Sequence, residues 1–123
     1  MEKEKILIIE DDRDLARLLA ARLESAGYES VVTSDAYQGV QFAHKIIPDL
    51  IILDLILPAG EGLSVLKRIK LSGYTRGIPV VVLTGIKDEK YKQKVMGEGV
   101  EAYLDKPYDA DTLITTIQNI LKK

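Results

Sequence analysis

Cysteine and tryptophan are both missing from this chain of 123 residues. Without cysteine there is no disulfide, no thiolate metal site and no cysteine nucleophile. Aromatic residues are few, six Tyr and one Phe, so the core must be assembled from Val, Ile, Leu and Ala. A surplus of positive charge is also lacking. The formal net charge is −2, which gives no support for direct nucleic-acid binding as the domain's own task. No apolar run approaches the roughly 20 residues of a membrane span, and the longest, Leu50–Leu57, is interrupted by Asp54. The start, Met1 to Lys5, is charged with no apolar stretch behind it. No secretory signal is therefore expected, and the cytoplasm is the expected location.

What is present is the balance of a globular protein, 46% hydrophobic and 29% charged residues, with no linker, repeat or low-complexity stretch. The length fits one domain covering residues 1–123. Two patterns alternate along it. Short apolar runs appear at Ile6–Ile9, Val31–Val32, Leu50–Leu53, Val80–Leu83 and Ala102–Leu104, and several are continuous and β-branched, as strands buried on both faces should be.

Stretches with helical spacing lie between and after them. The first has Leu15, Leu18, Leu19 and Leu23, ended by Gly27; the second has Ala36, Val40, Ala43 and Ile47, stopped by Pro48. Leu63, Leu66 and Ile69 mark a third, Tyr91 and Val95 a thin fourth closed by Gly97 and Gly99, and Leu113, Ile114, Ile117 and Leu121 a fifth. Asp12, Asp35, Asp88 and Asp109 or Asp111 stand near helix starts, where a carboxylate can cap free N–H groups. Five βα units in series predict an α/β fold. The expected form is a doubly wound, five-stranded parallel sheet of flavodoxin-like order 2-1-3-4-5, with helices on both faces.

In such a sheet, ligands bind beyond the carboxyl ends of the strands, where strand order reverses. Strand one ends on Glu10-Asp11-Asp12, strand three on Asp54, strand four on Thr84, and strand five runs into Lys106-Pro107. The expected order makes strands one and three neighbours, so Glu10, Asp11 and Asp54 meet at one rim. Three carboxylates there require a cation or protons, and hard oxygen donors with room for water suit Mg²⁺. Lys106 and Thr84 would flank the cluster from the far side with one positive charge and one hydroxyl. A metal, a carboxylate nucleophile, a lysine and a hydroxyl together can form and stabilise an aspartyl phosphate.

Taken singly, several of these residues have plainer readings. Glu10 and Asp11 could as well be capping groups, Thr84 a β-former at a strand end, and Lys106 a solvated loop lysine. Asp54 resists that treatment because apolar residues surround it on both sides. Tyr103 could be core packing with its hydroxyl at the surface. His44, the only histidine, reads as a surface or packing residue. Lys87, Lys90, Lys92 and Lys94 make the fourth helix basic, either a solvated face or part of a partner surface.

The segments Ile6–Asp12, Pro48–Pro58, Pro79–Gly85 and Tyr103–Pro107 together resemble the response-regulator receiver domain of two-component signalling. The resemblance covers essentially the whole chain, in order and at the usual spacings. It implies that Asp54 is the phospho-acceptor. It further implies that Asp11 binds Mg²⁺ directly, Glu10 acts through bound water, and the backbone carbonyl of Ile56 is a third ligand. Thr84 and Lys106 would contact the phosphoryl group, Tyr103 would turn inward as Thr84 moves, and the Lys106–Pro107 bond would be cis. A sensor histidine kinase or phosphotransfer protein would supply the phosphoryl group. The recipient of the signal would be a downstream protein or an output domain outside this sequence, with a phosphorylation-dependent homodimer as one form of response.

Departures from the family pattern are mild: Glu10 for an Asp, Gly85 for a frequent Ala, and Ile56 and Ile86 at rim positions that vary. The Ser72–Gly77 loop is slightly long and is expected to be a surface excursion. Two other functional classes, an interaction module and an enzyme or cofactor carrier on the same fold, fit these residues less well. An interaction module never phosphorylated usually loses a pocket residue, and all are present here. A flavodoxin would need a hydroxyl- and Gly-rich phosphate loop where Glu10-Asp11-Asp12 stands. A small Mg²⁺-dependent phosphatase would need an acid and a substrate cap for which the chain has no room. The chain is therefore expected to be a signalling switch and not an enzyme.

Overall fold

The computed structural model describes residues 3–57 and 61–122. Met1, Glu2, Pro58 and Lys123, all used in the sequence reading, lie outside the described residues. Ten elements alternate: β1 (Lys5–Ile9), α1 (Arg13–Ser25), β2 (Glu29–Thr33), α2 (Ala36–Ile46), β3 (Leu50–Asp54), α3 (Gly62–Leu71), β4 (Val80–Thr84), α4 (Glu89–Gly97), β5 (Ala102–Asp105) and α5 (Ala110–Leu121). The strands form one parallel sheet of order β2-β1-β3-β4-β5.

The apolar runs are continuous because the central strands are covered on both sides. Side chains alternate between two cores. Leu7, Ile9, Ile51, Leu53, Val80 and Val82 pack with Ala43, Leu66, Ile69 and Val95 of α2, α3 and α4. Ile6, Ile8, Leu50, Ile52, Val81 and Leu83 pack with Leu19, Leu23, Leu113 and Ile117 of α1 and α5. Each fully buried Ile, Leu or Val contributes about 1.5–3 kcal/mol relative to exposure, so these two layers hold the strand ends rigidly in place.

Four helix starts are capped as the sequence predicts. Asp12, Asp35, Asp88 and Asp109 each accept a hydrogen bond from a backbone N–H in the first turn. Among the described residues the start of α3 has no such bond; instead it carries Gly62, packed hard onto the loop after β3. A Cβ added there would stand 2.6 Å from Leu55 Cα and closer still to its carbonyl oxygen.

Two expectations about apolar stripes need correction. Ile47 does not close the α2 stripe in the core. It is the helix C-cap, half exposed, in the left-handed region at φ 43°, because Pro48 denies it the helical region. In α1, Leu19 and Leu23 are buried, but Leu15 and Leu18 are exposed and line a groove of about 630 Å³ together with Tyr108, Leu113 and Ile114. The face that α1 turns to the sheet is that of Ala16, Leu19 and Leu23, the last two packed in the core with Ile6 and Ile8, so Leu15 and Leu18 point away from it.

Candidate phosphoryl-acceptor site

The sheet register brings the predicted residues to one rim. Ile9 pairs with Leu53, so Glu10 and Asp54 emerge side by side from adjacent strands. Asp54 pairs with Leu83, and Thr84, one residue further along, pairs with Asp105. Glu10 and Asp54 are nearly buried, at 5% and 4% exposure; Asp11 is exposed. Carboxylate oxygens of Glu10, Asp11 and Asp54 all lie within 4.8 Å of one another.

Each buried oxygen has an assigned partner. Asp54 Oδ1 accepts from the Ile56 N–H at 2.9 Å, and Glu10 Oε2 from the Asp12 N–H at 3.1 Å. Lys106 Nζ donates to Asp54 Oδ2 at 2.9 Å and to Glu10 Oε1 at 3.3 Å. The expectation that Lys106 flanks the cluster from the far side is thus sharpened: its ammonium reaches both buried carboxylates. The Lys106–Pro107 peptide is cis.

The electrostatics follow from this packing. Burial pushes the Glu10 carboxyl up to about 7; the Asp12 N–H and Lys106 pull it down, and Asp54 pushes it further up. Burial alone would lower the Lys106 ammonium, but the Asp54 hydrogen bond and charge, followed by Glu10, outweigh it and hold it above its ordinary value. One lysine does not fully compensate two buried carboxylates and a third at the rim. The oxygen-only donor set fits a hard divalent cation such as Mg²⁺, which prefers a few carboxylates and keeps several waters.

Around the cluster, Thr84 is fully buried and its Oγ1 accepts the Ile86 N–H at 3.0 Å. Ile56 is half exposed above the site, its δ-methyl 3.8 Å from where a Cβ on Gly85 would stand. Tyr103 is partly buried against the core under α4, with Lys92 Nζ 5.3 Å from its ring centroid. Its hydroxyl is buried and, among the described residues, has no hydrogen-bond partner. This overturns the plainer reading of a core ring with its hydroxyl at the surface. Burial first, then the charge of Asp105, raises the Tyr103 phenol above its ordinary value.

Two features of the site escaped the sequence reading. The backbone N–H groups of Ile56 and Ile86, which hold Asp54 and Thr84 in position, have no side-chain signature. Tyr108, directly after the cis peptide, shares the wall of the α1–α5 groove with Lys106 and Arg22; the only hint was the excess of leucine in α1.

Comparison with known proteins agrees with this geometry. The family model for the response regulator receiver domain matches residues 6–118. The chain is 34% identical over 119 residues to the DNA-binding dual master transcriptional regulator RpaA of Synechocystis sp., covering 97% of this chain and 49% of that protein. It thus spans about half the length of that relative. It is 32% identical to the polar-differentiation response regulator DivK of Brucella anthropi, covering 94% of both. Among solved structures it resembles the receiver domain of the sensor histidine kinase PA1611 from Pseudomonas aeruginosa, described with a magnesium ion coordinated in the active-site cleft. There the TM-score is 0.89 at 26% identity, covering 99% of this chain and all of that one. With the sheet order, the acidic rim and the lysine in place, the chain belongs to the response regulator receiver domain family of two-component signalling.

Proposed function

We propose that residues 1–123 form one receiver that takes a phosphoryl group onto Asp54 in a Mg²⁺-dependent pocket and changes its partner-binding surface in response. The observation that carries this reading is the seating of Asp54. It is a nearly buried carboxylate within 4.8 Å of two others and hydrogen-bonded to Lys106 at 2.9 Å. A purely structural aspartate would not be buried among like charges.

The donor in this reading is a phosphohistidine of a sensor kinase or phosphotransfer protein in the cytoplasm. An Asp54 carboxylate oxygen bonds to phosphorus while the phosphorus–nitrogen bond breaks, and its electron pair leaves with the imidazole. Asp11, Asp54 and the Ile56 carbonyl, with Glu10 through water, would hold a Mg²⁺ ion, which would supply charge neutralisation for the phosphoryl oxygens. Lys106 exchanges a carboxylate partner for a phosphoryl oxygen, keeping its hydrogen bonding while following the new charge. The Thr84 hydroxyl donates a hydrogen bond to another phosphoryl oxygen. Its displacement frees space toward Tyr103, whose hydroxyl, among the described residues, has no hydrogen bond to lose by moving. The face of α4, β5 and α5 then shifts its population toward a second arrangement. Readout is by a downstream protein, an output domain or a second copy. The chain takes the phosphoryl group onto its own carboxylate and loses it again to water, which makes it a switch and not an enzyme.

The test is incubation with acetyl phosphate, with and without Mg²⁺, followed by intact mass. One added phosphoryl group, dependent on Mg²⁺ and absent in Asp54→Ala, is expected. No addition, or addition that survives Asp54→Ala, contradicts the reading.

A further inference from the structure

Charge is distributed unevenly around the sheet. Residues 36–48 and 62–79 contain Lys45, Lys67, Arg68, Lys70 and Arg76 and not one Asp or Glu. A chain of net charge −2 therefore carries +5 on these two segments and −7 on the remainder. The segments are α2, α3 and the loop leading into β4, which are neighbours on one face of the sheet. Because exposed charges are screened over about 8 Å at physiological salt, a partner meeting this face senses the cations and not the average of the molecule.

Leu71 and Tyr74 stand within this field, each 83% exposed, more than any other large apolar residue described. They are displayed by a pinned segment. Thr75 is buried and donates from Oγ1 to the Ile69 carbonyl at 2.7 Å. The Arg76 N–H donates to the Ser72 carbonyl at 2.9 Å, and Lys70 Nζ to the Arg76 carbonyl at 3.4 Å. Ser72 Oγ accepts the Tyr74 N–H at 3.2 Å and lies 2.9 Å from His44 Nε2 on α2. His44 Nδ1 is 3.0 Å from the Val40 carbonyl. A carbonyl only accepts, so Nδ1 carries a proton and donates it to Val40, while Nε2 and the Ser72 hydroxyl close the link to the loop. The loop expected to be a mere surface excursion is thus tied to both flanking helices. Two apolar side chains held open on a fixed backbone lose little freedom when a partner covers them.

We propose that this face docks an acidic amphipathic helix of a partner protein. The helix would lay its apolar side over Leu71 and Tyr74 and its carboxylates against Lys45, Lys70 and Arg76. Tyrosine is among the residues that most often anchor protein interfaces. A nucleic-acid backbone would use the cations but leave Leu71 without a role. A bilayer surface is recognised by an apolar stripe along a helix, whereas here the apolar pair sits at one helix end and its loop. The loop enters β4 at Val80 and Thr84 lies at the opposite end of that strand, about 13 Å away at roughly 3.3 Å per residue. The contact is therefore separate from the phosphoryl pocket and is made in both states of the switch.

The experiment titrates the full ¹⁵N-labelled chain with a helical peptide bearing Leu at i, i+3, i+4 and i+7 and Glu at the flanking positions. Parallel arms use the same peptide with Lys for Glu, phosphatidylglycerol vesicles, and oligo-dT. Saturable shifts confined to Lys45 and the Lys70–Arg76 loop are expected with the acidic peptide. They should weaken at least about tenfold in Leu71→Ser/Tyr74→Ser and in Lys70→Glu/Arg76→Glu, and change less than about twofold on adding beryllofluoride and Mg²⁺. These side chains are outside the core, so both double variants should keep wild-type acetyl phosphate labelling, which shows that they are folded. The proposal is overturned if shifts are absent or centred elsewhere, if the variants bind within twofold of wild type, or if vesicles or oligo-dT bind the face more tightly.

Discussion

Replacing Lys106 by Met keeps the stem of the side chain and removes the single cation that serves two nearly buried carboxylates. At an effective dielectric of about 20, its attraction to Asp54 at 2.9 Å and to Glu10 at 3.3 Å is roughly 6 and 5 kcal/mol before desolvation is charged against it. Removing one partner of a buried pair typically costs about 3–5 kcal/mol. The Lys106 side chain retains 22% exposure, and Glu10 can escape by taking a proton, so we expect about 2–3 kcal/mol near pH 8 and about 1 kcal/mol near pH 5.5. The sign follows from the raised Glu10 carboxyl. Its stabilising protonation is complete below its ordinary value of 4.5 and is lost as pH rises through about 7 in the wild type. Without the lowering influence of Lys106, that loss extends to higher pH, so the gap between variant and wild type widens on the alkaline side. Lys106 itself, raised above its ordinary value, stays charged throughout this range. Urea unfolding of both proteins without divalent cations, at both pH values, reads the difference. A gap independent of pH, or a Met variant more stable than wild type near pH 8, would refute the reasoning.

Three further outcomes follow from the same contacts. Glu10→Gln should flatten the fall in metal-free stability between about pH 5 and pH 8, a change of up to about 3 kcal/mol over the wild-type range; an unchanged slope in urea titrations would place the titration elsewhere. Gly62→Ala drives a methyl into the backbone of Leu55, next to Asp54. It should cost about 1–3 kcal/mol or more in unfolding and slow acetyl phosphate labelling; wild-type values for both would show that the contact is slack. Ile47→Gly relieves a β-branched residue at φ 43° and should stabilise the chain by about 0.5–1 kcal/mol despite the lost apolar contact, read as a raised Tm.

Much of the fold was legible because it depends on local patterns. The buried runs of β1, β3 and β4 could belong only to strands covered on both faces, and the aspartates at 12, 35, 88 and 109 announced helix starts through chemistry confined to one turn. The meeting of Glu10, Asp11 and Asp54 was legible one step further on, because strand order places strand ends. What could not be read depends on contacts distant in sequence. Lys106 lies 96 residues from Glu10 and 52 from Asp54, and whether its amine reaches between them or stands aside is decided by packing. The α1 stripe fails for the same reason: helical period groups Leu15 and Leu18 with Leu19 and Leu23, but the face turned to the sheet is that of Ala16, Leu19 and Leu23. The unpartnered Tyr103 hydroxyl is equally invisible in a pattern that marks the residue only as aromatic.

Asp54 is the proposed acceptor, and an acyl phosphate can be located chemically. Borohydride cleaves it reductively, so the phosphorylated carboxylate becomes a primary alcohol and aspartate becomes homoserine. After treatment with acetyl phosphate, Mg²⁺ and borohydride, peptide mass mapping should find homoserine at position 54 and nowhere else. Homoserine at position 11 or 12, or none in protein whose intact mass shows an added phosphoryl group, would contradict the central claim.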